Sequence, residues 1–127
     1  MKKNELINRI LDSAEKNGIV IALYDEFGKS VRVSVPLNAA VCNTNIDDID
    51  FSVRASNALK RSGVFTIGEI VDLISKDGLL NVRNLGRKTR NEIKTRILVY
   101  GYNQLKDDEK IRFVRDVVEK NSAITEQ

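Results

Sequence analysis

The sequence predicts an α+β fold, in which a helix and a β-hairpin precede a compact helical domain and an additional carboxy-terminal helix. Three patterns predict it: helically spaced apolar residues near the amino terminus, an apolar run followed by an alternating run, and amphipathic helical segments from residue 47 onward. We accordingly divide the chain into a unit of residues 1–45 and a domain of residues 46–127.

The first unit is predicted from its apolar pattern. Residues 4–17 form a helix, because its apolar side chains share one stripe and Gly18 follows as a cap. The stripe consists of Leu6, Ile7, Ile10, Leu11 and Ala14. The continuous apolar run 19–24 and the alternating valines of 31–35 predict the two strands of a hairpin, and Pro36 ends the second strand.

Four helices are predicted in the remainder of the sequence. Ser52 caps the first, and Thr66 with Glu69 forms a capping box at the start of the second. The first helix begins at or near Ser52 and is ended by Gly63, and the second begins at or near Thr66 and is ended by Asp77 with Gly78. The third begins at or near Arg87 and is ended by Gly101, and the fourth begins at or near Asp107 and ends after Lys120. A short turn is predicted between the second and third helices, at Leu79–Val82.

Composition limits the classes of function. The 127 residues are 42% hydrophobic and 31% charged, which is typical of a globular protein. The sequence has neither a secretory signal nor an apolar run of the ~20 residues that span a bilayer. It has no histidine, the commonest metal ligand and acid–base group, and Cys42 is its single cysteine. We therefore predict a cytoplasmic protein that is not an enzyme and needs no cofactor.

Positive charge is concentrated in the middle of the sequence. Residues 49–103 carry ten Lys or Arg against five Asp or Glu, whereas each flanking part has one excess acid. From Arg83 to Arg96, six basic residues accompany a single acidic one. An anionic partner is expected for this segment.

Two groups of residues fit such a partner. In Asn84–Thr89, Gly86 allows the unpaired amides of a helix start to approach a phosphate, and the neighbouring basic side chains add charge. Arg54 and Asn57 are three residues apart, so they share a helix face and can supply a guanidinium and an amide to a groove. From spacing alone, both groups are also compatible with an ordinary solvated polar surface.

Three separated motifs resemble the carboxy-terminal domain of the bacterial RNA polymerase alpha subunit. They are Ile46–Lys60, Ile67–Ile70 and Asn84–Thr89 with Glu92–Lys94, within residues 46–103. The resemblance implies a helical domain with a helix-hairpin-helix-like element, which binds the minor groove of AT-rich DNA and contacts sigma and activators. The subunit's large assembly domain does not fit into 45 residues, so a stand-alone relative with a different amino-terminal unit is expected.

The resemblance also implies roles for individual residues. Arg54 corresponds to a groove-inserting arginine beside the amide of Asn57, and Glu92 to a carboxylate beside the backbone-contacting residues. With the basic Arg87 of the helix start, the candidate DNA-contacting residues are Arg54, Asn57, Gly86, Arg87, Lys88, Thr89 and Glu92. The candidate sigma-facing or partner-facing residues are Asp47, Asp48 and Asp50, which are equally compatible with solvated acids leading into a helix.

Our leading hypothesis is a transcription-associated protein that binds double-stranded, AT-rich DNA on the nucleoid. The alternative is an interaction module that docks on RNA polymerase, sigma or a regulator without binding DNA. An enzyme acting on nucleic acid, with magnesium held by the three aspartates, is the least favoured interpretation.

The predicted hairpin needs apolar cover, because a two-stranded hairpin under one helix buries little surface. It can pack on the helical domain or the carboxy-terminal helix, or it can pair with a second copy of the protein. We favour a homodimer, since two DNA-binding modules would raise a weak single-site affinity.

Overall fold

The computed structural model describes residues 2–76 and 85–125, with side chains as far as Ser122. Over these ranges the protein is all-helical. Its helices are α1 (Lys3–Asn17), α2 (Ile19–Phe27), α3 (Ala39–Cys42), α4 (Val53–Arg61), α5 (Ile67–Ser75), α6 (Arg87–Asn103) and α7 (Asp107–Thr125), with a 3-10 helix at Ile46–Asp48. The predicted α+β class is therefore wrong, because the described residues contain no β-strand.

The first predicted strand is helix α2. Ile19, Ala22 and Leu23 are buried at the i, i+3 and i+4 spacing of one helix face, while Ile21 and Tyr24 lie on the exposed side. A short apolar run without alternation fits a strand and a buried helix equally well. The sequence pattern alone could not decide between the two.

The second predicted strand, residues 31–35, has no neighbouring strand among the described residues. Its side chains do alternate between half-buried valines and exposed polar residues, as in an extended backbone. The main chain pairs with a side chain of α7 instead. Asn121 Oδ1 accepts a hydrogen bond from Arg32 N at 2.9 Å, and Asn121 Nδ2 donates one to Arg32 O at 2.9 Å.

The protein divides into two compact units, residues 1–36 with 102–127 and residues 37–101. In the first unit, α1 packs against both α2 and α7. Its fully buried side chains include Ile10, Leu23 and Val114. Helix α7 therefore supplies apolar cover for α1. The predicted domain boundary after residue 45 stays a prediction.

The second unit places α3 against α5. The approach is close at Gly68, where an added Cβ would lie 3.1 Å from the carbonyl oxygen of Cys42. Its core is formed by Ile46, Leu59, Ile67, Ile70, Ile93 and Ile97. These side chains hold the starts of α4 and α6, which carry the candidate site.

Helix α6 extends beyond its predicted end. The prediction that Gly101 ends the third helix is wrong, because α6 continues to Asn103. Tyr102, the next residue, is buried, and tertiary packing outweighs the roughly 1 kcal/mol cost of a glycine inside a helix. The predicted stop at Asp77 and Gly78 and the predicted turn at Leu79–Val82 lie outside the described residues.

None of the helices in the described ranges is long and apolar enough to cross a membrane.

Candidate nucleic-acid interface

The amino terminus of α6 presents backbone donors among basic side chains. Its first regular hydrogen bond runs from Arg90 N to Gly86 O at 3.0 Å, so the N–H groups of the preceding helical residues have no acceptor within the helix. Arg87 and Lys88 are exposed, whereas Thr89 is only 8% exposed. The helix macrodipole adds positive potential at this end.

Gly86 stands in front of this helix start. An added Cβ would meet no atom of the described residues within 4 Å, and Gly86 is not among the glycines with positive φ. Neither backbone conformation nor internal packing therefore demands glycine here. The open space in front of Gly86 is what allows another molecule to approach the backbone closely.

Helix α4 presents the second candidate group. Ser52 caps it, and its Oγ accepts a hydrogen bond from Ala55 N at 3.2 Å, which confirms the predicted cap. The apolar side of the helix is buried through Ala58 and Leu59. Arg54 and Asn57 are both exposed, so the two predicted groove-contacting side chains are free to reach a ligand.

Glu92 connects these two groups. Its Oε2 accepts a hydrogen bond from Ser52 N at 2.7 Å, and its Oε1 accepts one from Ser52 Oγ at 2.8 Å. Arg54 lies two residues after Ser52, and Lys88 lies one helical turn before Glu92. The carboxylate thus fixes the start of α4 beside the first turns of α6, and brings the two predicted groups together within the second unit.

The interface is electropositive. Within the described residues, no carboxylate forms an ion pair with Arg54, Arg87 or Lys88. Cationic side chains that are not neutralised internally are available to an anion such as the phosphate backbone.

The predicted partner-facing acids are not equivalent. Asp47 Oδ1 forms an ion pair with Lys60 Nζ at 2.6 Å, whereas Asp48 and Asp50 are exposed without such a partner among the described residues. Only two of the three aspartates therefore offer an unpaired carboxylate to another protein. In the described part of the molecule, no group of three or more acidic or cysteine side chains is placed to hold a metal ion.

Sequence reasoning missed two features of this site. The role of Ser52 as a partner of Glu92 could not be found, because 40 residues separate them and neither spacing nor composition links them. The pairing of Asp47 with Lys60 was missed for the same reason. Asn84, which opens the candidate loop, lies outside the described residues.

Comparison with known proteins supports the resemblance of this region. The family model for the C-terminal domain of the bacterial RNA polymerase alpha subunit matches residues 35–98. The protein is 44% identical over 57 residues to the DNA-directed RNA polymerase subunit alpha of Rubrobacter xylanophilus, a match that covers 45% of its own length and 18% of that relative. It is 45% identical over 62 residues to the subunit from Corynebacterium glutamicum, a match over 49% of its own length and 18% of the relative.

One relative matches along almost the whole sequence. The alpha subunit of Dehalococcoides mccartyi is 27% identical over 124 residues, which is 94% of the present protein and 37% of that subunit. The protein thus spans only about a fifth to two fifths of the length of these curated relatives. No solved structure matches it. Because the family model covers half of its length, the protein belongs to the family of the C-terminal domain of the bacterial RNA polymerase alpha subunit.

Proposed function

We propose that this transcription-associated protein binds double-stranded DNA through α4 and the start of α6, contacting the minor groove of AT-rich sequences and the adjacent sugar–phosphate backbone. The observation that carries the proposal is the Ser52–Glu92 contact, which holds the groove-directed and backbone-directed groups side by side. In this proposal the protein acts without a cofactor and without catalysis, on the nucleoid in the bacterial cytoplasm.

The groove contact is assigned to Arg54 and Asn57. Arginine suits a narrow minor groove, because the negative potential is enhanced where AT-rich DNA narrows it. Both side chains are exposed on the same side of α4, and Arg54 has no internal ion-pair partner among the described residues. The asparagine amide can donate to the minor-groove acceptors of an A·T pair.

The backbone contact is assigned to the start of α6. Its unpaired amides point along the helix axis, and Gly86 leaves room for a phosphate oxygen to reach them. Lys88 and Arg87 neutralise the phosphate charge in a manner that does not depend on base sequence. Thr89 is only 8% exposed, so it offers less contact surface than these two side chains.

A second function, docking on RNA polymerase or sigma, is supported by the two unpaired carboxylates. Asp48 and Asp50 are exposed next to α4 and can pair with basic residues of a partner. Asp48→Asn combined with Asp50→Asn should weaken binding to purified polymerase without weakening DNA binding. Asp72→Asn is the control, because Asp72 is already paired with Lys76 at 3.0 Å.

Fluorescence anisotropy with labelled AT-rich and GC-rich duplexes tests the proposed function. If about four phosphates are neutralised, log affinity should fall against log salt with a slope of roughly −3.6. The AT-rich duplex should bind more tightly at every salt concentration. A DNA affinity that does not change with salt concentration would favour the docking module, and so would binding to polymerase without measurable DNA binding.

The homodimer stays a prediction. A dimer was expected to cover the predicted hairpin, but the described residues form no hairpin, and α7 packs on α1 within the same molecule. Sedimentation equilibrium of the full-length protein decides the question, because a dimer mass at micromolar concentration supports it and a monomer mass rejects it.

A further inference from the structure

The first unit contains a cleft of about 520 Å³ that the proposed DNA-binding function does not use. Helices α1 and α7 each contribute three lining residues at the i, i+3 and i+4 positions of one face. They are Leu11, Ala14 and Glu15 from α1, and Asp107, Lys110 and Ile111 from α7. Each helix face therefore contributes apolar side chain surface and one carboxylate to the cleft.

Tyr102, at the end of α6, also lines the cleft and is only 5% exposed. Its ring is held against Phe113, with the centroids 5.6 Å apart and the planes at 59°. Among the described residues, none forms a hydrogen bond with its hydroxyl group, and no fully buried polar side-chain atom lacks a partner. Within the described residues, the hydroxyl group is therefore left to solvent or to a ligand.

Tyr102 shares the walls of the cleft with the carboxylates of Asp107 and Glu15. Burial raises the pKa of Tyr102, and the carboxylates of Asp107 and Glu15 raise it further. Both carboxylates line the cleft, as Tyr102 itself does. Three oxygen-bearing groups thus surround one space without bonding one another.

This arrangement selects the chemistry of a ligand. Among the described residues along its walls, Lys110 is the one cation, and its Nζ lies over the Tyr102 ring, 5.3 Å from the ring centroid. Two carboxylates against one ammonium leave an excess negative charge, and the phenol oxygen can accept a hydrogen bond. An N–H-rich cation fills such a space, and the apolar side chains of Leu11 and Ile111 suit an aliphatic stem.

We propose that this cleft binds a guanidinium or alkylammonium group carried on an apolar stem. A planar guanidinium suits it best, since it offers five N–H donors to the two carboxylates and the phenol that line the cleft. The same chemistry is found in free polyamine-type cations and in the arginine or lysine side chain of a partner protein. The proposal does not depend on DNA binding.

Titration of the full-length, nitrogen-15-labelled protein with butylguanidine, followed by NMR, tests the proposal. Butylurea is the control ligand, because it has nearly the same shape without the charge. Butylguanidine should shift the signals of cleft residues saturably, and butylurea should not. Absence of saturation, or equal shifts by the two ligands, would overturn the proposal.

Variants locate the binding. Glu15→Gln and Asp107→Asn should each weaken butylguanidine binding by about threefold, the range expected for a partly exposed ion pair. Asp116→Asn should leave it unchanged, because Asp116 is an exposed acid of α7 outside the cleft. Equal affinity in all three variants would show that the cation binds elsewhere.

A second readout reports on the phenol itself. Bound butylguanidine keeps its positive charge at alkaline pH and therefore stabilises the tyrosinate form of Tyr102. It should lower the pKa of Tyr102 in an absorbance titration. Tyr102→Phe should abolish this change. Agmatine and a blocked Gly-Arg-Gly peptide then distinguish the sources. Tighter binding of agmatine would identify a free cation as the ligand, and tighter binding of the peptide would identify the side chain of a partner protein. Either result supports the proposed cleft, because both ligands carry a guanidinium group.

Discussion

Glu92 accepts two hydrogen bonds from Ser52, one from the backbone N–H and one from the hydroxyl group, across 40 residues of sequence. Ser52 at the same time caps α4 through Ala55 N. One serine therefore ends the loop before α4, starts the helix and anchors it to α6. The geometry of the proposed interface depends on this pair.

The pair predicts an effect of unusual sign. Simple electrostatics says that removing the acidic Glu92 should strengthen DNA binding. We expect the opposite for Glu92→Ala, because α4 loses its anchor and Arg54 its position, and the folded state should lose about 1–2 kcal/mol of stability. Glu92→Gln keeps hydrogen-bonding atoms and should bind at least as tightly as the unchanged protein.

Urea denaturation and DNA anisotropy measure these variants. Asp50→Ala, the loss of an exposed acid without a described partner, is the control and should change stability by less than about 0.5 kcal/mol. A coupling of about 1 kcal/mol is expected between Ser52→Ala and Glu92→Ala in a double-mutant cycle. Tighter DNA binding by Glu92→Ala would contradict the positioning role.

Gly86→Ala separates folding from function. Among the described residues the added methyl group meets nothing within 4 Å, so stability should fall by no more than about 1 kcal/mol, the preference for glycine over alanine at the position before a helix. DNA affinity should fall, since the methyl group occupies space in front of the α6 amides that no described residue fills. A variant with lost stability and unchanged binding would show that Gly86 has a structural role instead.

Asn121 should be the most sensitive polar residue of the first unit. It is fully buried and makes three hydrogen bonds, two with the Arg32 main chain and one from Nδ2 to Val117 O at 2.7 Å. Asn121→Ala leaves the Arg32 groups without these partners and should cost about 2–4 kcal/mol. Asn8→Ala, at an exposed position of α1, should change stability little when both are unfolded in urea.

Tyr102 predicts a pH dependence of stability. Burial, then Asp107 and Glu15, raise its pKa in the folded state, so the unfolded protein loses the phenol proton first. The contribution of the protonated phenol to the free energy of unfolding is fully present below the pKa of about 10 in the unfolded state. It is lost as the pH rises through the pKa in the folded state. In urea melts at increasing alkaline pH, Tyr102→Phe should lose stability less steeply than the unchanged protein.

Local signals in the sequence predicted local structure well. The Ser52 cap is confirmed, as is the cap of Thr66, whose Oγ1 accepts a hydrogen bond from Glu69 N at 3.3 Å. In both cases the interacting residues are three apart, and the chemistry of one turn decides the outcome. The start of α7 at Asp107 is also as predicted, with three acids in its first turn.

Non-local structure was less accessible. The run from Ile19 to Tyr24 fits two structures, and only packing against α1 selects the helix. The valines of residues 31–35 have a strand pattern, but Asn121 from the far end of the sequence takes the position of a partner strand. In the candidate site, the residue types were accessible from the motifs, whereas the Glu92 contact that assembles them was not.

The most direct test of the proposed interface compares Arg54→Ala and Lys88→Ala on AT-rich and GC-rich duplexes at fixed salt, with Arg115→Ala in the first unit as the control. Arg54→Ala should lose about 1–3 kcal/mol on the AT-rich duplex and reduce the preference for it. Lys88→Ala should weaken both duplexes equally and reduce the salt slope by about 1. Equal effects of all three substitutions, or an unchanged AT preference in Arg54→Ala, would contradict the assignment of groove and backbone roles.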